Sequence, residues 1–145
     1  MHLKNYTDYS LRVLMYLGVH PGRLVTIAEI SNAFGISKNH LMKVVKDLVA
    51  KGYVTSTKGK NGGLMLGMAA SEIAIGQVIR QMEGSFALVE CLGKTNHCCI
   101  LPACKLKHVL SGATERFFEA LDPYKLSDVI DNGDVIARLL QKPAP

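Results

Sequence analysis

Between Thr26 and Gly52 the chain carries two helical stripes joined through one glycine, and this arrangement restricts the fold more than any other feature of the sequence. Thr26 is placed to cap a short helix that turns Ile27, Ile30 and Phe34 inward, and Gly35 supplies the permissive backbone for a sharp turn. Ser37 then caps a second helix. Its apolar positions Leu41, Val44, Val45, Leu48 and Val49 form one stripe, which leaves Lys38, Asn39, His40, Lys43, Lys46 and Asp47 on the other faces until Gly52 ends it. Helix, glycine turn, helix is the helix-turn-helix pattern. An earlier helix, with Tyr6, Tyr9, Val13, Leu14 and Leu17 at helical spacing and Asn5 or Thr7 as its cap, ends at Pro21-Gly22.

The β-favouring runs Tyr53–Thr57 and Leu64–Leu66 flank Lys58-Gly-Lys-Asn-Gly-Gly63, which reads as a hairpin with a basic tip, the wing of a winged helix. The predicted fold is therefore mainly α with a small β-hairpin: a winged helix-turn-helix followed by a long dimerisation helix. Residues 1–70 form the head, residues 71–104 a linker helix carrying Ile75, Val78, Ile79 and Met82 and then a cysteine loop. In residues 102–122, Pro102 suits a first helical position, and Leu106, Val109, Leu110, Ala113, Phe117 and Leu121 continue one stripe over roughly 30 Å. Residues 123–145 add short helices over Leu126–Ile130 and around Val135–Leu140, then a tail. A single copy has too little chain left to cover that stripe, so the sequence predicts a twofold homodimer.

Charge divides along the same boundary. Residues 1–70 hold nine Lys/Arg against Asp8, Glu29 and Asp47, a balance of +6, whereas residues 71–145 hold eight against nine, a balance of −1. A basic head attached to a near-neutral remainder fits a polyanion partner. In a helix entering the major groove the first turn reaches base edges, which places Ser37, Lys38, Asn39 and His40 as readers of double-stranded DNA. Lys43, Lys46, Lys58 and Lys60 are placed to hold phosphate, with Asn61 and Gly62 completing the tip, where Gly59, Gly62 and Gly63 let backbone amides approach. Two such heads in a dimer predict an inverted-repeat operator.

The 48% hydrophobic and 20% charged residues exclude a disordered chain or a disulfide scaffold. No apolar run is long enough to span a bilayer, and no leader pattern opens the chain, so a cytoplasmic protein with no membrane partner is expected. No phosphate-binding glycine motif follows a strand, no nucleophile and base are recognisably spaced, and His20, His40 and His108 are scattered, so an enzyme is not expected.

The four cysteines all lie within Cys91-Leu-Gly-Lys-Thr-Asn-His-Cys98-Cys99-Ile-Leu-Pro-Ala-Cys104. A reducing compartment argues against a structural disulfide. Zinc, completed by His97 or His108, usually takes cysteines about two to four residues apart, and here the separations are seven or eight, one, and five or six. Soft thiolates spread on a long loop suit iron–sulfur ligation, and the positive end of the helix begun by Pro102 favours a thiolate at Cys104, two residues into it. A zinc-stabilised or redox- and iron-status-sensing regulator with another cluster shares the fold, and a redox protein that does not bind DNA is the remaining class.

The run from Met1 to about Leu121 resembles the iron–sulfur winged-helix transcriptional regulators of the IscR and NsrR type, most of all their nitric-oxide-sensing branch. The resemblance rests on Tyr6-Thr-Asp-Tyr9, Ser37-Lys-Asn-His-Leu-Met-Lys-Val44, Gly59-Lys-Asn-Gly-Gly-Leu64, and Leu88-Val-Glu-Cys91 followed by Cys98 and Pro102-Ala-Cys-Lys105. It implies a dimeric repressor whose iron–sulfur cluster, 4Fe-4S in preference to 2Fe-2S, is attacked by nitric oxide and thereby releases the operator. It also implies Cys91, Cys98 and Cys104 as ligands and Asp8 of the partner subunit as candidate fourth ligand, with His2 and His97 as the other candidates and Asp8 as a helix-dipole carboxylate on the competing reading. Cys99 is then surplus, read in the first place as a small buried apolar residue and otherwise as a resolving thiol or an alternative to Cys98. Lys107 stands where the IscR branch has its histidine.

Overall fold

A computed structural model describes residues 2–141; Met1 and the Lys142-Pro-Ala-Pro tail lie outside the described residues. The elements run α1 (Asn5–Gly18), α2 (Ile27–Phe34), α3 (Lys38–Ala50), β1 (Val54–Thr57), β2 (Gly63–Leu66), α4 (Ile75–Glu83), α5 (Lys105–Leu121), α6 (Leu126–Val129) and α7 (Gly133–Leu140). This is the predicted architecture of helices with one antiparallel hairpin.

The head forms as its caps dictate. Thr26 and Glu29 make a reciprocal capping box at the start of α2, and Gly35 takes the left-handed conformation at φ 65° that turns the chain into α3. The Ser37 side chain accepts from the His40 amide at 3.3 Å. Behind α3, Leu41, Val44, Val45 and Leu48 are buried, whereas Val49, placed by sequence on the same stripe, lies at its edge and is 37% exposed. β1 and β2 pair in the register Val54↔Leu66 to Thr57↔Gly63. The wing is tied to the body by Val25, which exchanges two backbone hydrogen bonds with Leu64 at 2.9 and 2.7 Å.

Two local expectations change. Neither Asn5 nor Thr7 caps α1: Lys4 occupies the cap position without a side-chain cap, and its amide donates to the buried Glu83 carboxylate at 2.8 Å. A carboxylate from the end of α4 thus meets the positive end of α1. Nor does Pro102 open the long helix. Pro102 sits in a separate 3-10 turn over Leu101–Ala103, Cys104 is extended, and α5 begins at Lys105. Proline's missing amide and fixed φ suit the 3-10 turn as well as an α-helical first turn, so the residue type alone does not separate them.

One apolar core runs from the head to the C-terminal elements, joining Leu14, Ile30, Leu41, Leu48, Val54, Ile73, Val78, Phe118 and Leu126. The segment after α5 returns to the segment before α4 through Ile75 N–H to Tyr124 O at 2.9 Å and Leu126 N–H to Ile73 O at 2.8 Å. α5 divides into two parts. Near its end Phe118 is buried and packs with Phe117 and Phe86, and Arg80 of α4 lies over the Phe118 ring while pairing with Asp122. Near its start Leu106 and Val109 are 61% and 65% exposed. Among the described residues the stripe predicted as continuous is covered within the chain toward its C-terminal end, Leu110 is half-buried, and Leu106 and Val109 stay open.

Candidate DNA interface and cysteine loop

Two stripes on α3 run parallel. Leu41, Val44, Val45 and Leu48 face the core, and Asn39, Met42, Lys43 and Lys46, with the same spacing, face outward and are exposed. Lys38, Asn39 and His40 form the exposed first turn. Among the described residues no ion pair engages Lys38, Lys43, Lys46, Lys58 or Lys60, while Asp47, the acidic residue of α3, is paired with Lys51 at 2.6 Å. The outer face of the helix therefore presents uncompensated positive charge.

α1 braces this helix on one flank. The Tyr6 hydroxyl donates to the Lys43 carbonyl at 3.1 Å, and the Tyr9 ring stacks on His40 with centroids 6.2 Å apart. Burial first, and then the Asp47 carboxylate, push the Tyr6 phenol above its ordinary pKa, so it stays a donor. The sequence pattern conceals this bracing because Tyr6 and Tyr9 read as ordinary core positions of α1.

At the wing tip Lys58, Lys60 and Asn61 are exposed, but Gly62 is half-buried and its amide donates to the Gly59 carbonyl at 3.0 Å. A Cβ on Gly62 would fall 2.1 Å from the Thr57 carbonyl oxygen. Gly62 is needed for a close backbone approach inside the tip, and its amide is already used there. Ser37 likewise spends its oxygen lone pair on the cap, keeping its hydroxyl hydrogen for an outside acceptor.

The cysteine loop joins α4 to α5 through short 3-10 turns at Glu90–Leu92 and Leu101–Ala103. All four thiols are free, Cys91 and Cys104 half-buried and Cys98 and Cys99 exposed. The exposure of Cys99 overturns the reading of it as a small buried residue: flanked by exposed Cys98 and Ile100 in an irregular segment, it has no apolar wall to meet. The loop is pinned at His97, whose amide donates to Glu90 Oε1 at 2.9 Å. Cys104 holds the cap position of α5, and among the described residues no side chain caps that helix. His108 is exposed on α5.

Asp8 lies in the first turn of α1, half-exposed, and pairs with Arg12 one turn on at 3.0 Å. Within one chain the described residues bring no three His, Cys, Asp or Glu side chains into a set that could hold a metal ion. The donor chemistry nevertheless suits an iron–sulfur cluster. Reduced thiols sit on one loop, and an uncapped helix end at Cys104 favours the negative charge a thiolate brings.

Comparison with known proteins agrees with this geometry. Among the described residues no helix is long and apolar enough to cross a membrane. The chain is 51% identical over 142 residues to the HTH-type transcriptional regulator NsrR of Bacillus licheniformis, covering 97% of this chain and 99% of that protein. It is 46% identical to the regulator of the same name from Bacillus subtilis, covering 97% and 98%. Among solved structures it superposes on T. potens IscR with a TM-score of 0.72 at 24% identity over 91% of this chain and 88% of that one. For CymR, the global cysteine regulator of B. subtilis, the values are 0.69 and 25% over 91% and 98%. The model of the Rrf2 family, described as iron-dependent transcriptional regulators, matches residues 3–132, and the chain belongs to that family of regulators.

Proposed function

We propose that this chain is a dimeric, nitric-oxide-sensing iron–sulfur repressor that binds an inverted-repeat operator. The observation that carries the DNA part is the outward stripe of α3, with Lys38, Asn39 and His40 in the first turn and uncompensated Lys43 and Lys46 behind them. Asn39 and Lys38 read base edges, His40 and the Ser37 hydroxyl assist, and Lys43, Lys46, Lys58, Lys60 and Asn61 hold phosphate. Gly62 acts by shaping the tip that presents Lys58, Lys60 and Asn61. The exposed start of α5, Leu106 and Val109, supplies the apolar surface for a second copy.

The sensing part rests on the likeness to the NsrR regulators and on the thiol loop. Cys91, Cys98 and Cys104, with Asp8 of the partner subunit as fourth ligand, would hold a cluster, 4Fe-4S in preference to 2Fe-2S. When bound, that cluster supplies the iron that nitric oxide attacks. The chain's own residues provide the path from loop to DNA. Lys4 binds Glu83 through its backbone amide at 2.8 Å and donates its ammonium to the Glu83 carbonyl at 2.6 Å, which fixes α1 to the end of α4 where the loop departs. Tyr6 and Tyr9 fix the same two turns of α1 to Lys43 and His40 of α3. Asp8 lies between these anchor points, and α1 is therefore the body through which the loop and the reading helix feel each other.

Single alanine variants test the ligand set. Anaerobically prepared Cys99→Ala keeps iron, acid-labile sulfide and visible absorption, whereas Cys91→Ala, Cys98→Ala and Cys104→Ala lose them. Equal loss at all four positions would refute the assignment, and stoichiometric zinc without sulfide in the parent protein would refute the cluster.

A further inference from the structure

We propose that Met42 is a base-reading residue of α3, recognising the C5-methyl group of a thymine in each half-site. The inference rests on the docking of α3 in the major groove. Met42 is a large apolar side chain left 50% exposed in the middle of the outward stripe, between Asn39 one turn before and Lys46 one turn after. It lies outside the apolar cluster that takes in partly buried neighbours such as Met68, Leu66 and Phe34. No folding role accounts for an apolar residue at that place, because the polar residues three before and four after it are exposed as well.

Its surroundings specify what covers it. Lys43 and Lys46 beside it carry no ion pair among the described residues, so the covering surface is anionic at its rim. An apolar protein surface would have to bury those ammonium groups, whereas the major groove places phosphates at its edges and base edges at its floor. On that floor the thymine methyl is the apolar group exposed by a base pair. A methionine side chain is unbranched and adaptable, and Asn39 beside it offers the amide that pairs with adenine. Asn39 and Met42 together match the two edges of a short A·T-containing step.

The test uses the cluster-loaded protein and a duplex selected by it from a random-sequence pool. Each thymine of the half-sites is replaced in turn by deoxyuridine, which lacks the methyl group and keeps every hydrogen-bonding group. For the parent protein one thymine per half-site shows a loss of about fourfold, the fold-change equivalent to burial of one methyl group. Met42→Leu keeps that sensitivity. Met42→Ala binds the parent duplex more weakly and shows no further loss at that position. A Met42→Ala profile identical to the parent's, or a parent with no sensitive thymine while Asn39→Ala still relaxes base preference, overturns the proposal. If Asn39→Ala and Lys46→Ala both leave binding to the selected duplex unchanged, the docking of α3 itself is refuted, and the role of Met42 with it.

Discussion

Gly62→Ala perturbs the wing without touching a charge. The added Cβ would lie 2.1 Å from the Thr57 carbonyl oxygen, 2.9 Å from the Lys58 carbonyl carbon and 3.0 Å from that of Thr57, all backbone atoms. No side chain can swing aside, so the tip must open by about 1 Å to restore ordinary van der Waals spacing. Opening breaks the Gly62–Gly59 hydrogen bond of 3.0 Å, worth about 1 kcal/mol. The base of the hairpin is spared, because Leu64 stays buried and bonded to Val25. The expected loss of folding stability is therefore about 1–2 kcal/mol. The larger effect falls on DNA binding, because Lys58 and Lys60 ride on the displaced segment. Every phosphate that a lysine ceases to neutralise lowers the slope of log K against log[salt] by about 0.9, and a dimer has two wings, which gives a reduction of about 2 to 4. Fluorescence anisotropy across a salt series reads this, with circular-dichroism melting to confirm the fold. Lys60→Ala gives a smaller reduction with no change in melting. A folded Gly62→Ala protein with the parent's affinity and salt slope would refute the claim that the tip is a tight, phosphate-holding device.

Three further outcomes follow from the geometry. Tyr6→Phe removes the donor to the Lys43 carbonyl and keeps the ring; it should cost about 0.5–1.5 kcal/mol in chemical denaturation and weaken operator binding, and an unchanged affinity would show that α1 does not set the pose of α3. Burial alone would raise the Glu29 carboxyl, but the Thr26 amide, Arg23 and the Thr26 hydroxyl outweigh it and hold it below the ordinary carboxylate range. The resulting stability is present above the ordinary glutamate pKa of about 4.3 and is lost as pH falls through the lower folded-state value, so Glu29→Gln should cost about 1 kcal/mol at neutral pH and little in strong acid; a pH-independent difference would contradict this. Thr7 is fully buried and its hydroxyl has no hydrogen-bond partner among the described residues, so Thr7→Val should raise stability by about 1 kcal/mol, and a decrease of that size would reveal a partner for the hydroxyl.

Features written in neighbouring residues were legible in the sequence, and features made by distant ones were not. The Thr26 cap, the Gly35 turn, the Ser37 cap and the basic hairpin depend on residues close together in the chain, and the structure shows them where the pattern predicts. The cap of α1 joins groups 79 positions apart, Lys4 and Glu83; by local pattern Glu83 is a solvated charge at a helix end. Phe118 is adjacent to the stripe residue Phe117; Phe86 packs against both rings, and Arg80 of α4 lies over that of Phe118, so its burial depends on residues more than thirty positions away. The cysteine loop was legible as four free thiols on one connection between α4 and α5, because residue type and spacing are local. Which thiols are exposed was not, because Cys98 and Cys99 share their residue type with the half-buried Cys91 and Cys104 and no periodic pattern in the loop separates them. Met42 falls off the apolar stripe of α3 in the sequence, but an apolar side chain carries no charge or hydrogen-bonding group to mark it as a DNA contact.

In the proposed regulator the state of the thiol loop governs DNA binding. The most direct test is an anaerobic titration of the operator-bound, cluster-loaded protein with nitric oxide, recording visible absorption and DNA anisotropy on one sample. Bleaching of the cluster bands and release of the operator should follow the same titration curve. Complete bleaching with the operator still bound, or release with the spectrum unchanged, would contradict the proposed coupling.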